Sequence, residues 1–171
     1  METPSSAPML DRETKASERP GDHKDELRLW LRLLTCSTLI ETEIRNRLRE
    51  EFKTTLPRFD LMAQLERHAE GLKMNELSRR LMVTGGNVTA IVDQLEKEGL
   101  VERLDEPSDR RAFRIRLTKS GERTFAEMAR GHEEWVVELL SGLSRREQDE
   151  LLRLLARAKE HALERISEMR P

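Results

Sequence analysis

Residues Val83–Thr118 read VTGGNVTAIVDQLEKEGLVERLDEPSDRRAFRIRLT. A polar turn holding Gly85 and Gly86 opens onto a segment in which Val88, Ile91, Val92 and Leu95 recur at i, i+3, i+4 and i+7, one face of a helix. Gly99 is placed to stop that helix in the left-handed conformation. Leu100–Leu104 and Ala112–Leu117 then read as two strands. In the second, Phe113, Ile115 and Leu117 alternate with Arg114 and Arg116, a period of two with one wet, basic face. The turn between them, Glu106-Pro107-Ser108-Asp109-Arg110-Arg111, is tipped with arginine. A helix running directly into a basic hairpin is the layout of a winged DNA-binding unit.

A short helix capped by Asn75 and burying Leu77 and Leu81 precedes this stretch across a Met82–Gly86 turn. Two helices separated by a short turn make a helix-turn-helix candidate. The second helix of such a pair must enter a major groove about 12 Å wide, so its leading face has to be slim. That face is Gly85, Gly86, Asn87, Thr89 and Ala90, with Thr84 as cap. Glycine lets the backbone approach phosphate, Asn87 can reach base edges, and Thr89 can bond phosphate or touch a thymine methyl. Taken alone, the same residues also describe a helix whose N-terminus merely prefers Thr and Asn. The hairpin adds Arg110 and Arg111 beside Asp109, and a narrow minor groove attracts inserted arginine. Asp109 can pair with Arg111 and fix its direction. The plainer reading is a solvated turn with an ion pair of little weight. Helix and turn together favour double-stranded DNA as partner.

Outward from this unit the pattern is helical. Pro57 suits the first turn of a helix with Phe59, Met62 and Leu65 on one face, ending near Gly71. Before it, Leu27, Trp30, Leu31, Leu34, Leu39, Ile40, Ile44 and Leu48 mark a long first helix that Asp22 can cap. Downstream, Thr118 caps a fifth helix with the stripe Phe125, Met128, His132, Trp135, Val136, Leu139 and Leu143. Ser144 and Glu147 form a capping box for a sixth, which carries Leu151, Leu152, Leu155, Ala158, Ala162, Leu163 and Ile166. Residues 1–21 are rich in Pro, Ser and charge and read as a disordered tail. The expected divisions are 1–21 tail, 22–55 first helix, 56–118 winged helix-turn-helix, and 119–171 C-terminal helices.

The 171 residues suffice for one domain with a core, or a small module plus an association element. Charged residues make up 37% and aromatic ones 4%, with no Tyr, as in a helix-rich protein with long solvated faces. A formal net charge of -2 carries no global sign of a nucleic-acid binder, but phosphate affinity depends on where basic residues cluster. The single Cys36 excludes an internal disulfide framework and a Cys-based metal cluster. Four histidines without H-x-x-x-H spacing, and no phosphate loop, dinucleotide fingerprint or nucleophile motif, argue against an enzyme and against a cofactor. No apolar run approaches the about 20 residues that span a bilayer, and no basic region precedes an apolar core at the N-terminus. A soluble, cytoplasmic protein without a membrane partner is the expectation.

The chain resembles the multiple antibiotic resistance regulator (MarR) family of bacterial transcription factors. The resemblance is carried by Glu76-Leu77-Ser78, Asn87-Val88-Thr89, Val92-Asp93-Gln94-Leu95-Glu96, Gly99-Leu100-Val101, Asp109-Arg110-Arg111 and Ile115-Arg116-Leu117-Thr118. It covers nearly everything from Leu27 to Ile166, and the wing signature is its most specific part. It implies a mainly α fold with a small β-hairpin wing, a winged helix-turn-helix flanked by N- and C-terminal dimerisation helices. It also implies a homodimer on a pseudo-palindromic operator, with Thr84–Thr89 as major-groove face and Asp109 and Arg111 as the wing pair. A homodimer would bury the surplus apolar stripes of the terminal helices.

The resemblance further implies a small-molecule effector that releases a repressor from its operator. The overall look of the chain is similar to the branch controlling aromatic-acid catabolism, so an aromatic carboxylate or its coenzyme A thioester is expected. Trp30 and Arg32, with Arg28 nearby, suit a planar anion; Leu34, Phe59, Met62, His68, His132 and Trp135 are further lining candidates, each equally readable as core or surface. One branch of the family senses peroxide through a first-helix cysteine. Cys36 sits about one helical turn later than that cysteine, and no Tyr is present to lower its pKa. A buried structural thiol is therefore expected, with a redox-sensing repressor as the alternative. The other alternative is a winged helix that binds a protein and uses its arginines only as surface charge.

Overall fold

The computed structural model describes residues 24–81, 85–106 and 109–169, and the side chains of all of these except 24, 106 and 109–112. The fold is mainly helical with a small three-stranded antiparallel sheet. In chain order the elements are α1 (Lys24–Phe52), α2 (Leu56–Glu66), β1 (Leu72–Lys73), α3 (Met74–Leu81), α4 (Gly85–Lys97), β2 (Val101–Glu106), β3 (Asp109–Leu117), α5 (Lys119–Leu139) and α6 (Arg145–Met169). The described chain divides between His132 and Glu133 into two compact units, so α5 begins in the first and ends in the second.

Although Trp135 of the second unit is buried as well, the first unit holds most of the buried apolar residues. Ile44 and Leu48 of α1, Phe59, Leu61, Met62 and Leu65 of α2, Leu77 of α3, and Val88, Val92 and Leu95 of α4 are buried there. Val101, Ile115 and Leu117 add the inner face of the sheet, and Phe125 and Met128 the start of α5. Apolar residues at helical spacing thus turn inward as the periodicity requires, although Ile91 is only half-buried.

Local signals place the ends of these elements. Pro57 lies in the first turn of α2, where its missing N–H costs nothing. Gly99 has φ 70°, and Leu100 N–H closes back on Leu95 O at 2.9 Å. Thr118 Oγ1 accepts from Gly121 N–H at 3.0 Å, capping α5. The cap of α3 is not Asn75, which lies inside the helix: Glu76 Oε2 instead accepts from Lys73 N–H at 2.9 Å. The Asp22 cap of the first helix lies outside the described residues.

The sheet differs from a simple hairpin. Leu72 pairs with Ile115 and Lys73 with Arg114, giving the order β1-β3-β2. Gly71, φ 80°, makes the approach possible, since a Cβ there would stand 2.8 Å from Ile115 O. The strands also run closer to the tip than the alternation suggested. Glu106 pairs with Asp109, with an irregularity in register at Asp105/Glu106, so Asp109, Arg110 and Arg111 lie in β3 rather than in a six-residue turn.

In the second unit, Ser144 Oγ and N–H both donate to Glu147 Oε2, at 2.6 and 2.8 Å, and open α6. These bonds hold the Glu147 carboxyl below its usual range. No residue of α6 is buried. Its leucines are not core: Leu152 is 67% exposed and Leu163 59%. The N-terminal half of α1 is similarly open, with Leu27, Leu29 and Trp30 exposed. Cys36 is exposed too, against the expectation of a buried thiol. At 3.6 residues per turn it sits about 120° round the helix from buried Leu48. No described helix is long and apolar enough to cross a membrane.

Candidate nucleic-acid interface

Helix α4 is held from behind by Val88, Val92 and Leu95, which leaves its leading turn to solvent. Gly85, Gly86, Asn87, Thr89 and Ala90 are all exposed. Thr89 Oγ1 donates back to Gly85 O at 3.0 Å. A Cβ on Gly86 would meet nothing within 4 Å, and one on Gly85 only Ser78 Oγ at 3.8 Å. Neither glycine is at positive φ. Packing within the described chain therefore does not require either of them, although glycine in a helix costs about 0.5–1 kcal/mol relative to alanine. The result is a bare, slim helix end. Thr84, expected as its cap, lies outside the described residues.

The wing stem is less free than its alternation implied. Arg116 Nε donates to Glu102 Oε1 at 2.6 Å across the β2–β3 pair. Arg114 is half-buried, and its Nη1 donates to Gly71 O at 3.3 Å. Arg103 of β2 pairs with both Asp93 and Glu96 of α4. The supposed wet, basic face is thus largely bonded within the chain. Phe113 stands midway along β3, 42% exposed. For Asp109, Arg110 and Arg111 the structure gives backbone position only, the first three residues of β3.

The effector candidates divide. Trp30 is 57% exposed and Arg32 exposed on the open half of α1, with Leu34 half-buried. Phe59 and Met62 are core residues of α2, and His68 Nδ1 lies 2.7 Å from Gln64 O at the end of that helix. Phe59 stacks on His132 with ring centroids 4.9 Å apart and tilts against Phe125 at 5.4 Å. Beside this cluster lies Asp60, which the sequence did not single out. Burial raises its carboxyl above the usual range; His132 opposes that shift, Glu41 adds to it and Arg45 opposes it. Burial likewise lowers the His132 imidazole, with Asp60 opposing. The core under α1 therefore carries a half-buried carboxylate that feels Glu41 and Arg45 of α1, beside a half-buried imidazole.

A helix-turn-helix with an antiparallel wing, its leading turn bare, defines a winged helix protein. The MarR family model matches residues 54–113, which run from the end of α1 into β3. A MarR family transcriptional regulator from Silicibacter pomeroyi superposes with TM-score 0.70 at 33% identity, covering 84% of this chain and 99% of that one. Sco3205 of Streptomyces coelicolor, a MarR family regulator solved in complex with DNA, has TM-score 0.70 at 26% identity, covering 84% of this chain and 90% of its own. In sequence, the HTH-type transcriptional regulator YkoM of Bacillus subtilis is 34% identical over 90 residues, 53% of this chain and 58% of YkoM, less than two thirds of that relative. The chain belongs to the MarR family of DNA-binding transcriptional regulators, which are not enzymes.

Proposed function

We propose that the chain is a homodimeric regulator that binds a pseudo-palindromic duplex. Thr84, Gly85, Gly86, Asn87 and Thr89 lie in the major groove, and Asp109, Arg110 and Arg111 work at the adjacent minor groove. The observation that carries this reading is the bare leading turn of α4, with two glycines that no contact inside the described chain requires. A slim helix end suits close approach to a phosphate backbone and base edges. Residues 56–118 act as the DNA-binding part, with 22–55 and 119–171 as the association regions. The unburied leucines of α6 and the open end of α1 support a second copy as partner.

Selection of a duplex from a random pool, followed by titration at rising salt, tests the reading. Binding should weaken steeply with salt through counterion release. A protein that enriches no duplex contradicts it.

The regulator acts as a repressor in the cytoplasm, released by a small aromatic carboxylate or its coenzyme A thioester. Support comes from Trp30, an exposed aromatic ring on the open half of α1, with exposed Arg28 and Arg32 two positions to either side and therefore round the helix from it. A thermal-shift series of aromatic acids and their thioesters checks it, with aliphatic acids as controls. No shift with any aromatic member removes the effector class while leaving DNA binding untouched.

A further inference from the structure

We infer that Arg103 is a positioning residue for DNA recognition, setting the offset of the wing from α4; the inference rests on the DNA-binding reading above. Arg103 sits in the third position of β2 and pairs directly with Ile115 of β3. Directly paired residues of an antiparallel ladder share a face of the sheet. Ile115 is fully buried, so Arg103 leaves the sheet on its core-facing side, toward α4. Two carboxylates of α4 stand there to meet it.

One guanidinium spans both carboxylates. Nη2 meets Asp93 Oδ1, and Nη1 meets Glu96 Oε2 at 3.0 Å. Asp93 and Glu96 stand three apart, neighbours on one flank of α4. The planar fork of arginine fixes direction through two bonds where lysine would supply a single point charge. The three side chains remain about one third to one half exposed, so solvent screens the pair and its weight in folding is small. Its value is geometric. Groove-reading residues occupy the start of α4, the wing tip lies at the far end of β2, and Arg103 ties the two elements together between them.

This role differs in sign from plain charge. Asp93 and Glu96 are acidic groups on the recognition helix. If electrostatics alone mattered, neutralising them would strengthen duplex binding. If the clamp positions the wing, neutralising them weakens the selected duplex while random-sequence duplex holds or gains.

The test compares wild type, the double variant Asp93→Asn/Glu96→Gln, and Arg103→Gln on the duplex selected by wild type and on a random-sequence duplex, each over a salt series. The expected result is a fall of about tenfold in the ratio of selected to random affinity for both variants, with the salt slope of Arg103→Gln unchanged. Two results overturn the inference. One is a ratio that stays or rises in Asp93→Asn/Glu96→Gln. The other is a slope that drops by about one in Arg103→Gln, the mark of a lost phosphate contact. The double variant, which only neutralises surface carboxylates, keeps the test decisive should Arg103→Gln not fold. A wild type that binds no duplex contradicts the DNA-binding reading itself, whereas a binding wild type with unchanged variants removes this inference alone.

Discussion

Leu100 and Gly121 are in backbone contact: a Cβ on Gly121 would stand 1.9 Å from Leu100 O. The same carbonyl accepts from Thr118 N–H at 3.1 Å, and Thr118 Oγ1 donates to Gly99 O at 2.7 Å. The turn that ends α4 and the turn that starts α5 are thereby joined backbone to backbone. Gly121→Ala cannot be absorbed by a rotamer change, because the obstacle is main chain. We expect a loss of about 1–3 kcal/mol, read as a lower urea midpoint, comparable to overpacking a core.

Stability should depend on pH through His132. Burial favours its neutral form in the fold, so its folded pKa lies below the ordinary imidazole value. As pH falls below that value the unfolded chain takes up a proton that the fold resists, and stability is lost. His132→Phe, which can keep the stack on Phe59, should lose less stability than wild type between neutral and about pH 5.5 in urea melts.

Asp60 acts in the opposite sense. Its folded pKa is raised above 3.8, so its favourable contribution is present below that value and is lost as pH rises through the folded pKa. Asp60→Asn should therefore gain stability at neutral pH, and the gain should fade on acidification. Parallel melts of the two variants separate the contributions.

The difference between what was legible and what was not follows the range of the interactions. The stripe of α4, Gly99 at the end of that helix, Thr118 and the Ser144–Glu147 box depend on partners within about one or two turns along the chain. They could be read from spacing. Strand β1 could not, because two residues have no period and the partner Ile115 comes much later in sequence. Arg114 and Arg116 read as a free basic face because Gly71 O and Glu102 lie across tertiary or cross-strand gaps, and the partners of Arg103, Asp93 and Glu96, likewise lie across a tertiary gap. Asn75 reads as a cap because Asn favours that position, while Glu76 Oε2 accepts from Lys73 N–H instead. Trp30 has the right phase for burial but lies on the open end of α1. Cys36 is a residue type that favours the interior, but its phase puts it off the buried stripe.

The proposed dimer places a demand on α6. Leu152 and Leu163 are well exposed on a helix with no buried residue. Leu152→Glu/Leu163→Glu should shift sedimentation from dimer to monomer while helical circular dichroism of the first unit persists. A variant that stays dimeric would move the interface off α6.

The wing proposal is checked through Arg111. Arg111→Ala should weaken the selected duplex by about 1–3 kcal/mol and lower the salt slope by about one, if its side chain meets the minor groove and phosphate. Unchanged affinity would remove the wing tip from the interface.

Gly86 offers the most direct measurement. A side chain there begins in open space within the described chain, at the centre of the proposed major-groove face. Gly86→Leu should fold as well as wild type or slightly better, since leucine favours helix over glycine by roughly 0.5–1 kcal/mol. Its affinity for the duplex selected by wild type should nevertheless fall at least about tenfold, because the added bulk stands where the backbone must approach DNA. Unchanged duplex affinity in a well-folded Gly86→Leu protein would contradict the account that the leading turn of α4 is the surface that reads DNA.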